Sequence, residues 1–341
     1  MRNRQLRNLP DRTASKCITY LILLIACSLL STVVVRGADP GTPYLPDDLV
    51  SDHKPGSILF FNVYTSDATD SKEQNAKFAI TNTSPTVGVA VHIFFVDGMS
   101  GSPADFIFCL TPSQTISFES VELDPNTEGY IIVIATNADG APIVHNHLIG
   151  DVYVKFSSGH RAGLGALAVA ARNVPTVLAT DSAVEIDFNG VSYDKLPLTL
   201  AVDNIPSRIN NNDTMVFINR PGGDLTNGVG EIGHLFGLLF NDTENAYSFG
   251  LYSSRCQTRL TFNSNSPRTV PRFTSVVPDG RSGWVRLYSV SNTAIIGAFF
   301  NYNSGSTSVP NAFSGGRNLH ILTTTTARMT VPVYPTRCAN G

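Results

Sequence analysis

"SFESVELDPNTEGY" occupies residues 117–130, and "RFTSVVPDGRSGW" occupies residues 272–284. In each, a Phe is followed two and three positions later by Ser-Val, then by an Asp-containing turn, a Gly and a large aromatic. "DPNTEG" and "PDGRSG" supply the Pro, Asp, Asn and Gly that tight reversals require. The stretch therefore predicts a hairpin: a strand ends at Val121 or Val276, the chain reverses, and a return strand opens on Tyr130 or Trp284. Alternation in "WVRLYSV" places Val285 and Leu287 on one face and Arg286 on the other.

Working outward, further echoes keep the same order along the chain. Phe61-Asn62 is matched by Phe188-Asn189, Ile80-Thr81-Asn82 by Phe217-Ile218-Asn219, and "FFVD" at 94–97 by "LFND" at 239–242. Cys109 and Cys256 each stand two residues before a Thr. Collinear echoes of this kind predict one supersecondary unit used twice, with the join at 174–181, "VPTVLATD".

Between the echoes lie strand-length apolar runs, among them "SILFFNVYTS", "VGVAVHIFFVD" and "EGYIIVIATN", each bounded by Gly, Pro, Asn, Asp or Ser. Many short strands at even spacing predict β-sandwiches. Residues 162–173, "AGLGALAVAARN", satisfy both the strand and the helix period, because small apolar residues suit either. Composition agrees with an all-β chain. Of 341 residues only 15% are charged while 42% are hydrophobic, so Ser, Thr, Asn and Gly fill the surface, as strands and turns favour. The length suits two domains.

The N-terminus carries Arg2, Arg4, Arg7, Arg12 and Lys16 before an uncharged apolar run from Cys17 to Val35. That order of parts is an export signal, with cleavage before Ala38. The same 19 residues also suit an uncleaved membrane anchor, and "LIAC" at 24–27 suits a lipidation site at Cys27. Every version places the rest of the chain outside the cytoplasm: secreted, periplasmic or at the cell surface. Residues 38–56, with four prolines, read as a tether. Removing residues 1–37 takes away six basic and one acidic residue, leaving 18 Lys and Arg against 26 Asp and Glu. With no basic stripe, nucleic acid is not an expected partner.

"ITNTSPTVGVAVHIFFVDG", "CLTPSQTISF" and "HLIGDVYVKFSSGH" resemble segments of uncharacterised exported bacterial proteins with tandem immunoglobulin-like β-sandwich repeats. The resemblance covers most of residues 57–338 and implies an envelope location and a sandwich fold. It transfers no activity. The expected organisation is a signal peptide or membrane anchor (1–37), a Pro-rich tether (38–56), and two tandem immunoglobulin-like antiparallel sandwiches (57–176 and 177–341). The membrane is met only through the N-terminal segment.

Candidate chemistry is sparse. Cys256 and Cys338 lie in one half and are expected to pair, closing a loop worth about 4–5 kcal/mol in the chain-entropy model; Cys109 is then a buried free thiol or an intermolecular partner. His145 and His147, two apart in "VHNHL", would share a strand face, and His92 and His160 belong to the same half. Two imidazoles fall short of the four ligands a structural zinc takes, so no metal and no cofactor is expected. The acidic loops "FNDTEN" and "NNNDT" lack the ordered carboxylates of a calcium loop. "GMSGS" fails the serine-elbow spacing. Tyr130, Trp284 and Tyr288 would stack on sugar rings if exposed and fill a core if inward. The function expected is an exported binding, adhesive or structural protein without catalytic activity, its partner an envelope protein or polysaccharide. A carbohydrate-binding protein is the alternative, and a hydrolase with a spatially assembled site the third.

Overall fold

The computed structural model describes residues 49–173, 178–180, 182–263, 265–305, 314–336 and 338. The leader expected at 1–37, most of the tether and part of the join at 174–181 lie outside the described residues. No described helix is long and apolar enough to cross a membrane. Asp47–Gly341 form one compact unit. The end of the expected tether belongs to it, since Leu49 and Val50 are buried and Ser51 bridges to Ala168.

The first half supplies β1 (Ile58–Thr65), β2 (Asn75–Asn82), β3 (Val89–Asp97), β4 (Pro103–Leu110), β5 (Thr115–Glu119), the single turn α1 (Ser120–Leu123), β6 (Glu128–Thr136), β7 (Leu148–Lys155), β8 (Arg161–Gly165) and β9 (Leu167–Val169). The ambiguous 162–173 thus becomes strand as far as Val169, split at Ala166 where the chain changes sheet. β10 (Leu178–Thr180) and β11 (Ala183–Phe188) follow. The second half supplies β12 (Leu196–Pro206), β13 (Asn212–Asn219), β14 (Gly223–Asp224), β15 (Gly233–Asn241), β16 (Ala246–Ser253), β17 (Gln257–Leu260), the turn α2 (Phe273–Val276), β18 (Ser282–Ser289), β19 (Ile296–Asn303), β20 (Gly315–Asn318), β21 (His320–Thr325) and β22 (Ala327–Pro332).

These strands make five small sheets. The first runs β4-β3-β6-β1-β9 and the second β5-β2-β7-β8; the third runs β16-β15-β18-β12-β21 and the fourth β17-β13-β19-β20; the fifth is β10-β11-β22-β14. The third and fourth repeat the order of the first and second strand for strand. The repetition extends to detail. A register shift between Phe61 and Tyr64, opposite β6, recurs between Val202 and Ile205, opposite β18. Gly129 faces Asp97 as Gly283 faces Asn241. A Cβ would lie 1.9 Å from the Val96 carbonyl oxygen at Gly129 and 2.6 Å from that of Phe240 at Gly283, so both positions exclude a side chain.

The duplicated phrase is not a hairpin. β5 ends in the second sheet, α1 makes one turn, and β6 begins in the first; β17, α2 and β18 cross from the fourth sheet to the third in the same way. Turn residues announce a reversal without saying which sheet receives the next strand. Here side chains of β1 and the segment just after it hold the crossover: Tyr64 donates to Asp124 Oδ2 at 2.5 Å, and Ser66 donates to the Asp124 carbonyl at 2.6 Å. The Glu119 amide donates to Glu122 Oε2 at 3.0 Å and closes the turn. Phe188-Asn189 is likewise no echo of Phe61-Asn62, because it ends β11 in the fifth sheet while the counterpart of β1 is β12.

Two separate immunoglobulin-like sandwiches do not form. β6 lies between β3 and β1, and the next strand, β7, joins the other sheet, whereas an immunoglobulin domain keeps its last two strands side by side. The halves also share their cores. One buried cluster gathers Phe61, Phe78 and Phe95 with Phe217 and Phe300 of the second half. Another packs the opposite face of the first sheet, including Phe60, Phe94, Tyr130 and Ile132, against Ile186, Phe188, Met329 and Val331 of the fifth. A third, with Leu235, Leu239, Val285 and Phe299, fills the space between the third and fourth sheets.

Buried amides stitch the halves together. Asn219 Nδ2 donates to the Asn62 carbonyl at 2.7 Å, and Gln257 Nε2 donates to Asn219 Oδ1 at 2.8 Å and to the Gly129 carbonyl at 3.0 Å. Asn62 Nδ2 donates to Asn318 Oδ1 at 2.7 Å. Replacing Asn219 by Ala leaves a buried amide and carbonyl short of partners, and we expect it to destabilise by about 1–3 kcal/mol. Calorimetry should show this as a lower Tm in a single transition; two separated transitions would contradict the shared cores.

Candidate functional site

In the first sheet, Phe94, Tyr130, Ile132 and Ile134 point into the cluster shared with the fifth sheet and are buried. By the repeated register their counterparts in the third sheet are Leu238, Trp284, Arg286 and Tyr288. These are only partly buried. The same face that one copy covers with another sheet is, in the other copy, at the surface, and it carries aromatics.

β15 and β18 build this face. Phe236 lies opposite Tyr288, Leu238 opposite Arg286, and Phe240 opposite Trp284. Trp284 and Phe240 stack with ring centroids 4.3 Å apart and planes 7° off parallel. Phe236 and Tyr288 meet at 6.1 Å. On the neighbouring edge strand, Tyr252 lies opposite His234 with rings 4.9 Å apart. Phe236 is 39% exposed and Tyr252 54%. Between the two aromatic pairs, Arg286 places its guanidinium 5.9 Å from the centre of the Tyr288 ring. The sequence marks the inward face of β15 clearly, Leu235 and Leu239 alternating with outward Phe236, Leu238 and Phe240, but not that the outward set stays partly or fully exposed among the described residues.

Of the three aromatics singled out from the sequence, Trp284 and Tyr288 stand on this face. Tyr130 does not. It is fully buried and donates to the Arg220 carbonyl at 2.6 Å, so it is core and not ligand-facing.

Tyr252 also borders a cleft of about 760 Å³ between the halves, lined by Asp97, Glu128, Gln257, Arg255 and Arg259 among others. Burial raises the Glu128 carboxyl above its usual range, and Arg259 partly opposes this. Asp97 is occupied: its Oδ1 accepts from the amides of Met99 and Ser100 at 3.0 and 2.6 Å.

The histidines sit apart by role. His92 Nε2 lies 2.8 Å from Asp105 Oδ2, and burial lowers its pKa more than Asp105 raises it. His145 and His147 are not on a strand; they occupy the turn before β7, ring centroids 5.2 Å apart. His160 is buried, with Nδ1 3.0 Å from Ser158 Oγ and Nε2 3.3 Å from the Asp213 carbonyl. Ser158, His160 and Asp213 resemble a nucleophile, base and orienting acid, but the Asp213 carboxylate stands 3.6 Å from the ring and is held by Arg208 at 2.6 Å. No group of three or more potential metal ligands is gathered among the described residues. Both acidic loops carry ion pairs instead: Asp213 with Arg208, and Asp242 with Arg281, each at 2.6 Å.

The disulfide joins Cys109 to Cys338, 229 residues apart, and not Cys256 to Cys338. Cys256 is buried, its thiol hydrogen facing the Asp97 carbonyl at 3.1 Å and its pKa pushed up to about 11, chiefly by burial. Proximity in sequence misled, because the C-terminal segment leaves its own half. The Thr336 amide donates to the Ala138 carbonyl at 2.8 Å, which brings the tail to the first half beside β4.

No protein-family model matches the chain, and no curated protein matches it. Among solved structures it is similar, at 10% identity and a TM-score of 0.19, to the Streptomyces avermitilis α-L-rhamnosidase complexed with L-rhamnose, over 84% of this chain and 26% of that one. Similarity to tripeptidyl peptidase 2 is at 11% identity and a TM-score of 0.17, over 83% and 25%. The chain spans about a quarter of the length of those structures. Likenesses this loose carry no argument about fold or activity.

Non-reducing peptide mapping should recover Cys109 linked to Cys338, while Cys256 stays unlabelled by thiol reagents until the protein unfolds; rapid labelling of native Cys256 would contradict its burial. A pH effect follows from His145, whose pKa burial lowers, with His147 adding to the shift. Asn82 turns its oxygen to the ring at 2.9 Å and spends its own N–H groups on the Val87 and Thr111 carbonyls, so the proton sits on Nε2 and acidification must add one at Nδ1. The unfolded chain takes up that proton first. Stability is therefore full above pH 6.5 and falls as the pH drops from there toward the lowered folded value. His145→Gln should flatten the fall of Tm between pH 7 and 5; an unchanged slope would reject the assignment.

Proposed function

We propose that this is an exported, non-catalytic binding protein whose ligand is a glycan held across the outer face of the third sheet. The observation that carries this is the aromatic row Phe236, Tyr288, Phe240 and Trp284 on a face whose counterpart in the first half is sealed by the fifth sheet. Sugar rings have apolar faces that pack on aromatics, and their hydroxyls need hydrogen-bonding groups alongside. His234 and Arg286 provide such groups on the same face.

Export by residues 1–37 fits a chain with a disulfide, because such bonds persist in oxidising compartments. Each pair of sheets is read as one nine-stranded sandwich unit used twice, the first copy serving as a covered base and the second presenting the ligand face. The resemblance to exported envelope proteins agrees with a polysaccharide as the partner.

Glycan arrays followed by calorimetry on the full-length protein test this reading. Trp284→Ala and Tyr288→Ala should each weaken binding at least about tenfold, or about 1.4 kcal/mol, with little change in Tm. Tyr153→Ala, which removes an exposed aromatic of the second sheet, should change nothing. Glycan binding indifferent to Trp284 and Tyr288 would reject the site, and a protein partner that needs Trp284 while no glycan binds would reject the ligand class.

A further inference from the structure

We infer that the glycan is acidic, and that Arg286 recognises its carboxylate at the centre of the aromatic face. This rests on the glycan reading above and adds the chemical class of the sugar.

Arg286 occupies the position that Ile132 holds in the first sheet, where the side chain is buried against the fifth. A charge at the corresponding place is costly to desolvate unless something pairs with it. Among the described residues nothing pairs with it. Its Nε is buried and has no hydrogen-bond partner among the described residues. Its cross-strand neighbours are Leu238 and Ala201, neither of which can accept a hydrogen bond from it through a side chain. Asp203, two residues beyond Ala201, is engaged by Arg317 and by His320, the latter at 3.5 Å.

What the surroundings do supply is orientation. The guanidinium lies over the Tyr288 ring, and on β18 it stands between Trp284 on one side and Tyr288 on the other, two residues from each. Aromatic neighbours attract the cation through their ring faces while leaving its N–H groups unspent. A guanidinium so held offers a planar fork whose geometry matches a carboxylate with two parallel hydrogen bonds. A sugar stacked on either aromatic pair would bring a carboxyl at its ring carbon toward this fork. A neutral sugar would leave Nε desolvated and without a charged partner.

The experiment compares oligogalacturonate and oligoguluronate with their carboxyl-reduced counterparts, which keep the ring and lose only the charge. Binding to the full-length protein is measured by calorimetry at two salt concentrations. At least one acidic form should bind ten times or more tightly than its reduced counterpart, and this preference should shrink with salt. Arg286→Gln should bring the acidic and reduced forms to equal affinity, and Arg286→Lys should keep only part of the preference, since an ammonium cannot pair through two parallel bonds. An unchanged Tm establishes that the variants are folded. Equal binding of acidic and reduced forms, or a preference that survives in Arg286→Gln, overturns the inference and leaves the glycan reading standing. Failure of every sugar to bind overturns both.

Discussion

Burial of the first sheet on both faces is the constraint on which the rest of the structure depends. β1, ILFFNVYT, is buried along its whole length because its side chains alternate between two cores: Leu59, Phe61 and Val63 in one, Ile58 and Phe60 in the other. Side chains on alternate faces of a strand cannot both be satisfied by a single sandwich. A second layer must come from elsewhere, and the chain builds it as a fifth sheet from β11, which follows the first half, and β22, which follows the second. The two halves are thereby committed to each other, which is why Asp47–Gly341 is a single compact unit. Full burial of one large apolar side chain is worth about 1.5–3 kcal/mol, so the Tyr130, Ile132 and Ile134 row weighs heavily against any separation of the halves.

That arrangement also explains how one scaffold can present two different faces. Tyr130, Ile132 and Ile134 on β6 correspond to Trp284, Arg286 and Tyr288 on β18. The inward residues of the two strands stay equivalent, Ile131 and Val133 matching Val285 and Leu287, all buried. Divergence is confined to the outer face. Where the fifth sheet covers the strand, the row is Tyr130, its hydroxyl satisfied, with Ile132 and Ile134; where it does not, the row is a cation between two amphipathic aromatics. The difference is the signature of a surface freed from packing against the fifth sheet.

The polar contacts between the halves are specific where the apolar ones are not. Asn62, Asn219, Gln257 and Asn318 form a chain of amides in which the carboxamide oxygens of Asn219 and Asn318 each accept from the next residue along. Such a network fixes register, because sliding one half by a residue would leave several buried groups unpaired at once. The Cys109–Cys338 bridge acts on a longer scale, returning the end of the chain to the edge strand β4 of the first half.

Much of this was legible in the residues themselves. Alternation and turn chemistry make the chain all-β, and the Gly-aromatic pairs at 129–130 and 283–284, with Asn82 and Asn219 closing matched strands, reveal a repeated unit, because these positions answer to local geometry: a crowded carbonyl, a strand end, a reversal. Which sheet each strand enters was not legible. The duplicated phrase read as a hairpin since a crossover and a hairpin need the same turn residues, and Cys256 read as the partner of Cys338 since sequence carries no record of where a tail returns. The candidate site lay furthest out of reach. Trp284, Tyr288 and Tyr130 look alike along the chain, and only the fifth sheet, assembled from segments that follow each half, decides that Tyr130 is core while the other two remain at the surface.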